Sequence, residues 1–203
     1  MPGDEELGDL AADVRETVTE LLGSGARVDV LLGHSLGALT AMKLCADRPD
    51  LARRLVIEDP PSGGNDPDET AREVEEGAAR AHENPRSLAR EMLSENPSWA
   101  EEDATNSVLS LRECDSGALA RFRRDGLRWD LAALAGAVPL PTLLLLGDEE
   151  RGSALAAGER LVVANALRQG SIEELGAGHN VHRDDFEGYV RVLGGWLGGP
   201  RDS

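Results

Sequence analysis

Apolar residues recur every three or four positions near the N-terminus and then gather into short uninterrupted runs. The spacing over 7–22 predicts an amphipathic helix, which the glycines of GSG at 23–25 end. The run RVDVLLG that follows predicts a short strand, and LGALTAMKLCADRP predicts a buried helix that ends before Pro49. The next apolar run, RRLVIEDPP, predicts a second strand that two prolines bring to an end.

The pattern changes over residues 62–136, which are polar and charged and carry several short helical periodicities. A block of this length is too long for a loop, so we interpret it as a helical cap insertion. The run VPLPTLLLLGD then predicts a buried strand starting near Pro141, and 154–167 reads as a helix. The segment GSIEELGAGH predicts a short strand followed by a loop.

The chain ends in a predicted helix whose apolar residues fall on one face. Asp184 and Glu187 stand at its start with the spacing of a capping box. That face would consist of Phe186, Tyr189, Val190, Leu193 and Leu197. Strands that alternate with helices predict an α/β fold with a mostly parallel sheet of about four strands and helices on both faces. The core would comprise residues 1–61 and 137–203, with the cap at 62–136.

Composition and charge narrow the range of partners. The 203 residues carry a formal net charge of -17, which repels phosphate backbones and anionic membranes, so we expect neither nucleic acid nor a membrane as partner. No apolar run is long enough to span a bilayer, and the acidic N-terminus is unlike a signal peptide. The two cysteines, Cys45 and Cys114, form no disulfide framework. We expect a cytoplasmic protein that acts on a small molecule without a cofactor.

The segment LLGHSLG carries the first candidate chemistry. Ser35 lies between Gly33 and Gly37, directly after a predicted strand and directly before a predicted helix. A serine on such a sharp turn is typical of a nucleophile, and glycines two residues to either side relieve crowding. The amide of Leu36, at the start of the helix, then points towards the position at which an oxyanion would form.

A serine nucleophile needs a base, and the chain has four histidines. His179 lies in GAGHNVH, a glycine-flanked loop after a predicted strand, so it could carry an imidazole over the strand ends. His34, inside the turn, is expected to shape that turn, and His82 is expected to be a solvated residue of the cap. His179 and His182 have HxxH spacing, but no third ligand is evident, so we predict no metal site.

Three segments in this order resemble the α/β-hydrolase superfamily, in particular its bacterial branch with a helical cap. They are LLGHSLGALTAMKLCADRPDLARRLVIEDPP, PLPTLLLLGD and GAGHNVHRDDFEGYV, and the resemblance extends from Leu7 to Trp196. It implies that Ser35 is the nucleophile, Leu36 an oxyanion-hole amide and His179 the general base. Trp99, Phe122 and Trp129 would either roof a substrate pocket or form the small core of the cap.

The triad acid has candidates at two places in the chain. The family often places it three residues after the glycine that ends the long apolar strand, which here is Glu150, and Asp148 lies in the same acidic run. Other members place it after the strand that follows the nucleophile helix, where this chain has Glu58 and Asp59. The two prolines after Asp59 fix the direction of the chain there, which favours Asp59 slightly as the triad acid. Glu150 and Asp148 belong to a run of charges, and such runs are usually solvated. The choice stays open at this point.

The family's first four strands and the HG loop that donates a second oxyanion-hole amide have no counterpart before Ser35. Loss of one such donor typically costs about 10² to 10³ in rate.

The leading hypothesis is a serine hydrolase that cleaves an ester or similar small-molecule substrate through an acyl-enzyme. The alternative is a truncated remnant, weak or inactive, that serves as an interaction module. A cofactor-free haloperoxidase is a third hypothesis. The strand at 27–32 would become an exposed sheet edge, which predicts a homodimer or poor solution behaviour.

Overall fold

The computed structural model describes residues 4–62, 66–126 and 129–198. Four parallel strands form one sheet, in the spatial order β1-β2-β3-β4. The strands are β1 (Val28–His34), β2 (Ala52–Glu58), β3 (Thr142–Leu146) and β4 (Gly170–Glu174). A helix follows each strand within the connection to the next, as parallel strands require. The predicted α/β fold with a parallel sheet is confirmed.

The register of the strands brings their carboxyl ends to one edge of the sheet. His34, the last residue of β1, lies beside Glu58, the last residue of β2. Glu58 in turn lies beside Leu145 of β3. The segments that begin at Ser35, Asp59 and Gly147 therefore start close together. This edge is where an α/β sheet usually carries its binding site.

The helices that pack with the sheet cover both of its faces. They are α1 (Asp4–Leu22), α2 (Leu36–Asp47), α7 (Leu131–Ala137), α8 (Ala157–Ala166), α9 (Val181–Asp184) and α10 (Phe186–Gly198). Side chains alternate between faces along a strand, and β3 illustrates this. Leu144 and Leu146 pack in the larger core, with residues of α2, α7 and α8. Leu145 packs on the opposite face, with Tyr189 of α10.

Residues 66–126 form a second compact unit made of helices. They are α3 (Pro67–Glu83), α4 (Pro85–Glu95), α5 (Glu101–Glu113) and α6 (Ser116–Arg121), and a π-helical turn at Phe122–Gly126 follows. Asp66, Asn84 and Asp115 accept hydrogen bonds from the first turns of α3, α4 and α6, which explains where these helices begin. The unit has its own core around Ala81, Leu88 and Val108.

The unit of residues 66–126 is shorter than the predicted cap at 62–136. The difference is α7, whose Leu131 and Ala135 pack into the larger core with the sheet. Trp129 also belongs there, and its indole N–H donates to the carbonyl of Pro61 at 3.2 Å. Trp99 and Phe122 lie half-buried in the cap unit. Periodicity alone could not assign α7, because its apolar pattern fits either core.

The last helix departs from its predicted start and its predicted face. Asp185 accepts the hydrogen bond from the amide of Gly188, while Asp184 accepts one from the amide of Gly178 in the preceding loop. Of the five apolar residues predicted on one face, Tyr189 is buried but Phe186 and Val190 are 66% and 49% exposed. No helix in the described ranges is both long and apolar enough to cross a membrane.

Candidate active site

Ser35 occupies a strained turn between β1 and α2. Its φ of 55° and ψ of −123° fall in a region that non-glycine residues rarely adopt. The amide of Ser35 donates to the carbonyl of Glu58 at 3.0 Å, which continues the pairing of β1 with β2 up to the turn. Strain of this kind persists only where the surrounding structure enforces it, and it is common at functional sites. The turn therefore has the backbone of a nucleophile elbow.

The two glycines that flank Ser35 do not have equivalent roles. A Cβ on Gly33 would overlap the carbonyl group of Gly37 and would lie 2.8 Å from the amide nitrogen of Ala38. A Cβ on Gly37 would meet nothing within 4 Å. The interpretation that both glycines relieve crowding is therefore correct for Gly33 and wrong for Gly37. The close approach is between the end of the strand and the first turn of the helix, and it involves Gly37 through its backbone.

Asp59 and His179 form a hydrogen-bonded pair. The Nδ1 of His179 lies 2.7 Å from the Oδ2 of Asp59. The carboxylate is fully buried and accepts three further hydrogen bonds, from the Gly147 amide (3.3 Å), the Ser153 hydroxyl (2.6 Å) and the Ala154 amide (2.7 Å). Since a carboxylate only accepts, Nδ1 of His179 carries a proton, and Nε2 is the ring nitrogen that accepts a proton when the imidazole acts as a base.

Burial alone would favour the neutral acid at Asp59. The hydrogen bonds from His179, Ser153 and Ala154 outweigh burial and hold the pKa of Asp59 below its ordinary value. The carboxylate is therefore ionised at neutral pH. An ionised acid at this position orients the imidazole and can stabilise an imidazolium.

The loop that carries His179 is tied to the strand ends at several points. The carbonyl of Ala177 accepts from the amide of Asp148 at 2.7 Å. The carbonyl of His179 accepts from the Nε2 of His34 at 2.9 Å. The side chain of His179 remains 31% exposed, so a substrate can reach it. Within the described ranges, the hydroxyl of Ser35 and the imidazole of His179 do not form a hydrogen bond, and such bonds often tighten only when substrate is bound.

The other two predicted acids lie in the segment after β3, where one caps a turn and the other is exposed. Asp148 accepts a hydrogen bond from the amide of Glu150 at 2.9 Å and so caps the short 3-10 turn at Glu149–Arg151. Glu150 is exposed on that turn. The acid that the structure brings to the imidazole is Asp59.

A second acid–histidine pair lies directly beside the first, and the sequence interpretation did not identify it. The Oε1 of Glu58 is 2.7 Å from the Nδ1 of His182, and Glu58 is only 1% exposed. The available signal was the pair of adjacent acids at 58 and 59 together with the HxxH spacing. With His34, these two residues are the group in the described ranges whose potential metal-ligand atoms lie within 4.8 Å of one another.

Leu36 and Cys45 both lie on α2. Leu36 is the first residue of α2, where an amide has no acceptor within the helix, so its N–H is available to an oxyanion. Cys45 is completely buried, and burial raises the pKa of its thiol to about 12. A thiol of that kind is not a nucleophile at neutral pH.

Comparison with known proteins finds a family model that matches most of the chain. Residues 2–192 match the family model described as the alpha/beta hydrolase family. No curated protein sequence matches the chain significantly.

Three solved structures with a similar fold are 21–23% identical in sequence to the chain. N-formylmaleamic acid deformylase from Pseudomonas putida is 23% identical, with a TM-score of 0.72 over 92% of this chain and 72% of that one. E-2-(acetamidomethylene)succinate hydrolase is 21% identical, with a TM-score of 0.69 over 94% of this chain and 73% of that one. The enol-lactonase from Burkholderia xenovorans is 21% identical, with a TM-score of 0.65 over 94% of this chain and 72% of that one.

Proposed function

The chain belongs to the α/β hydrolase family, and from that premise we propose that it is a serine hydrolase of small-molecule esters or similar bonds. The observation that carries the proposal is the buried Asp59 at 2.7 Å from the Nδ1 of His179, beside a strained Ser35. Lone histidines in loops are common, but a histidine oriented by a buried, ionised acid at the carboxyl ends of a parallel sheet is typical of acyl transfer.

In the proposed reaction, the Oγ of Ser35 attacks the carbonyl carbon while the Nε2 of His179 takes the hydroxyl proton. Asp59 holds the imidazole in the Nδ1–H tautomer and stabilises the imidazolium that forms. The Leu36 amide stabilises the oxyanion of the tetrahedral intermediate. When this intermediate collapses, the alcohol or amine leaves and takes the proton back from His179. Water then attacks the acyl-enzyme by the same route and releases the acid.

The test is labelling by a fluorophosphonate probe, followed by mass spectrometry of the labelled peptide. We expect the probe on Ser35, and we expect labelling to disappear in Ser35→Ala and to fall at least 10³-fold in His179→Ala. The matched controls are Ser171→Ala on the exposed strand β4 and His82→Ala on the exposed face of α3, both of which should label like the parent. A folded parent protein that remains unlabelled would overturn the proposal.

A second candidate function is pairing of two copies through β1. The strand lies at the edge of the sheet, and its Leu32 is 41% exposed. An edge strand presents unpaired backbone groups and can join a second strand. The test is the molar mass from light scattering during size-exclusion chromatography. A parent dimer that Leu32→Lys converts to a monomer supports pairing through β1. The control Leu161→Lys on α8 should leave the molar mass unchanged. A monodisperse parent monomer would contradict it.

A further inference from the structure

The imidazole of His34 lies against two other imidazoles at the proposed active site. The ring of His34 lies 4.6 Å from that of His179 and 5.2 Å from that of His182, measured between centroids. The proposed reaction uses only His179. His34 and His182, with the buried Glu58, therefore need an explanation of their own.

Hydrogen bonds hold His182 and Glu58 together at the far end of the loop that carries His179. The Oε1 of Glu58 accepts both from the Nδ1 of His182 at 2.7 Å and from its amide at 3.0 Å. Burial, together with the nearby Glu58, raises the pKa of the Tyr189 hydroxyl on α10 to about 12. A buried carboxylate with these donors is satisfied, and it fixes the backbone three residues after His179.

The distances also show which ring nitrogens of this cluster donate. The contact of 2.7 Å between the Nδ1 of His182 and a carboxylate oxygen of Glu58 is a hydrogen bond, so this Nδ1 carries a proton. The Nε2 of His34 is likewise a donor, because its partner is the carbonyl oxygen of His179. The cluster is thus a connected set of hydrogen bonds.

His34 occupies a special place in this set because it precedes Ser35 in sequence and contacts His179 in space. Its backbone ends β1 at the elbow, and its ring donates to the main chain of the loop at 2.9 Å. One side chain therefore joins the segments that carry the proposed nucleophile and the proposed base, which lie 144 residues apart (Ser35 to His179). A misplacement of about 1 Å between reacting groups can cost about 10² in rate.

We propose that His34 is a positioning residue, which holds the His179 loop at the nucleophile elbow through its Nε2–H bond to the His179 carbonyl, while the Glu58–His182 pair holds the far end of that loop. This inference rests on the proposed serine hydrolase function for its effect on rate, but the hydrogen bond itself does not. His34 is also suited to a place beside an imidazolium, since burial lowers its pKa despite the nearby Glu58, and a neutral ring does not repel the charge.

The first experiment measures the rate constant and the half-saturation concentration of fluorophosphonate labelling at Ser35. In His34→Leu we expect the maximal rate constant to fall about 10- to 100-fold, with little change in half-saturation. His34→Gln places an amide N–H where Nε2 was, and it should restore the rate constant to within about fivefold of the parent. His82→Leu, on the exposed face of α3, is the control and should label like the parent. Equal losses in the Leu and Gln variants, or no loss in either, would overturn the proposal.

The second experiment does not need activity. A long-range proton–nitrogen NMR spectrum of the protein with labelled histidines reports which ring nitrogen of each histidine carries the proton. The four histidines can be assigned with one variant each. We expect His34 in the Nε2–H tautomer, and we expect His34→Leu to shift the ring signals of His179. The Nδ1–H tautomer at His34 would overturn the proposal even if Ser35 labels normally. If His34 has the Nε2–H tautomer but the probe does not label Ser35, the hydrolase function is refuted. The hydrogen bond from His34 to the His179 carbonyl is then still supported.

Discussion

The segments after β2 and β3 begin alike and end differently. Each follows a strand that is buried at its carboxyl end, and acidic residues lie at each junction: Glu58, which ends β2, and Asp59 at one, Asp148 to Glu150 at the other. At the end of β2 the carboxylates of Glu58 and Asp59 are buried, and each is paired with a histidine. After β3 the acids cap a turn or face solvent.

The difference lies in the donors that the rest of the fold supplies. Asp59 is surrounded by N–H and O–H groups, and three of these come from the segment after β3: Gly147, Ser153 and Ala154. The segment after β3 thus contributes donors to the site, while its own acids cap a turn or lie exposed. An acid becomes part of a site when its burial is compensated, and a count of acids in sequence does not reveal this.

The largest expected effect comes from exchanging the two acids for amides one at a time. Asp59→Asn should lower the labelling rate at Ser35 by about 10³ to 10⁴, because an amide in this place no longer selects the Nδ1–H tautomer of His179. Glu150→Gln should stay within about twofold of the parent, as exposed substitutions usually do. The measurement is the fluorophosphonate labelling rate of each variant. The reverse ranking would make Glu150 the working acid.

The sequence was sufficient for the parts of the site that are contiguous. The elbow at Ser35 follows from a strand, a GxSxG motif and a helix in immediate succession, and the loop at His179 follows from its flanking glycines. The choice between Asp59 and Glu150 could not be made in that way. The backbone and hydroxyl donors that stabilise the ionised Asp59 lie 88 to 95 positions further along the chain, and His179 lies 120 positions away.

The same limit explains where the predictions about packing were wrong. The apolar spacing of α10 predicts one buried face, but Phe186 and Val190 are exposed, because burial depends on which element lies opposite. The equivalence assumed for Gly33 and Gly37 was wrong because only one of them faces a neighbouring backbone. Local pattern predicts elements, and the packing between elements decides burial.

A smaller effect is expected from removing one donor that the segment after β3 gives to Asp59. The hydroxyl of Ser153 lies 2.6 Å from the carboxylate, and hydrogen bonds to charged groups contribute about 1.5 to 3 kcal/mol. Ser153→Ala should lower the free energy of unfolding by about that amount, measured by urea denaturation. Ser171→Ala is the exposed control. Equal stability in both variants would mean that Asp59 does not depend on this donor.

The pH dependence of stability tests the ionisation of Asp59. Since the folded-state pKa of Asp59 is below its ordinary value, its ionisation stabilises the fold above about pH 4, and this contribution is lost as the pH falls through the lowered pKa. The difference in unfolding free energy between the parent and Asp59→Asn should therefore shrink below about pH 4. Urea denaturation of the parent and of Asp59→Asn over this pH range measures the difference. A constant difference for Asp59→Asn would contradict the lowered pKa.

The smallest effect belongs to Asp148, the acid that the segment after β3 uses to shape itself. Its side chain accepts from the amide of Glu150 at 2.9 Å, at a position that solvent reaches, so water can replace it at moderate cost. Asp148→Ala should lower the free energy of unfolding by about 0.5 to 1 kcal/mol, in the range of other side-chain caps. The labelling rate at Ser35 should stay unchanged, because the backbone bond from the Asp148 amide to the Ala177 carbonyl survives the substitution. A large loss of labelling without a matching loss of stability would show that the acids after β3 act on the His179 loop after all.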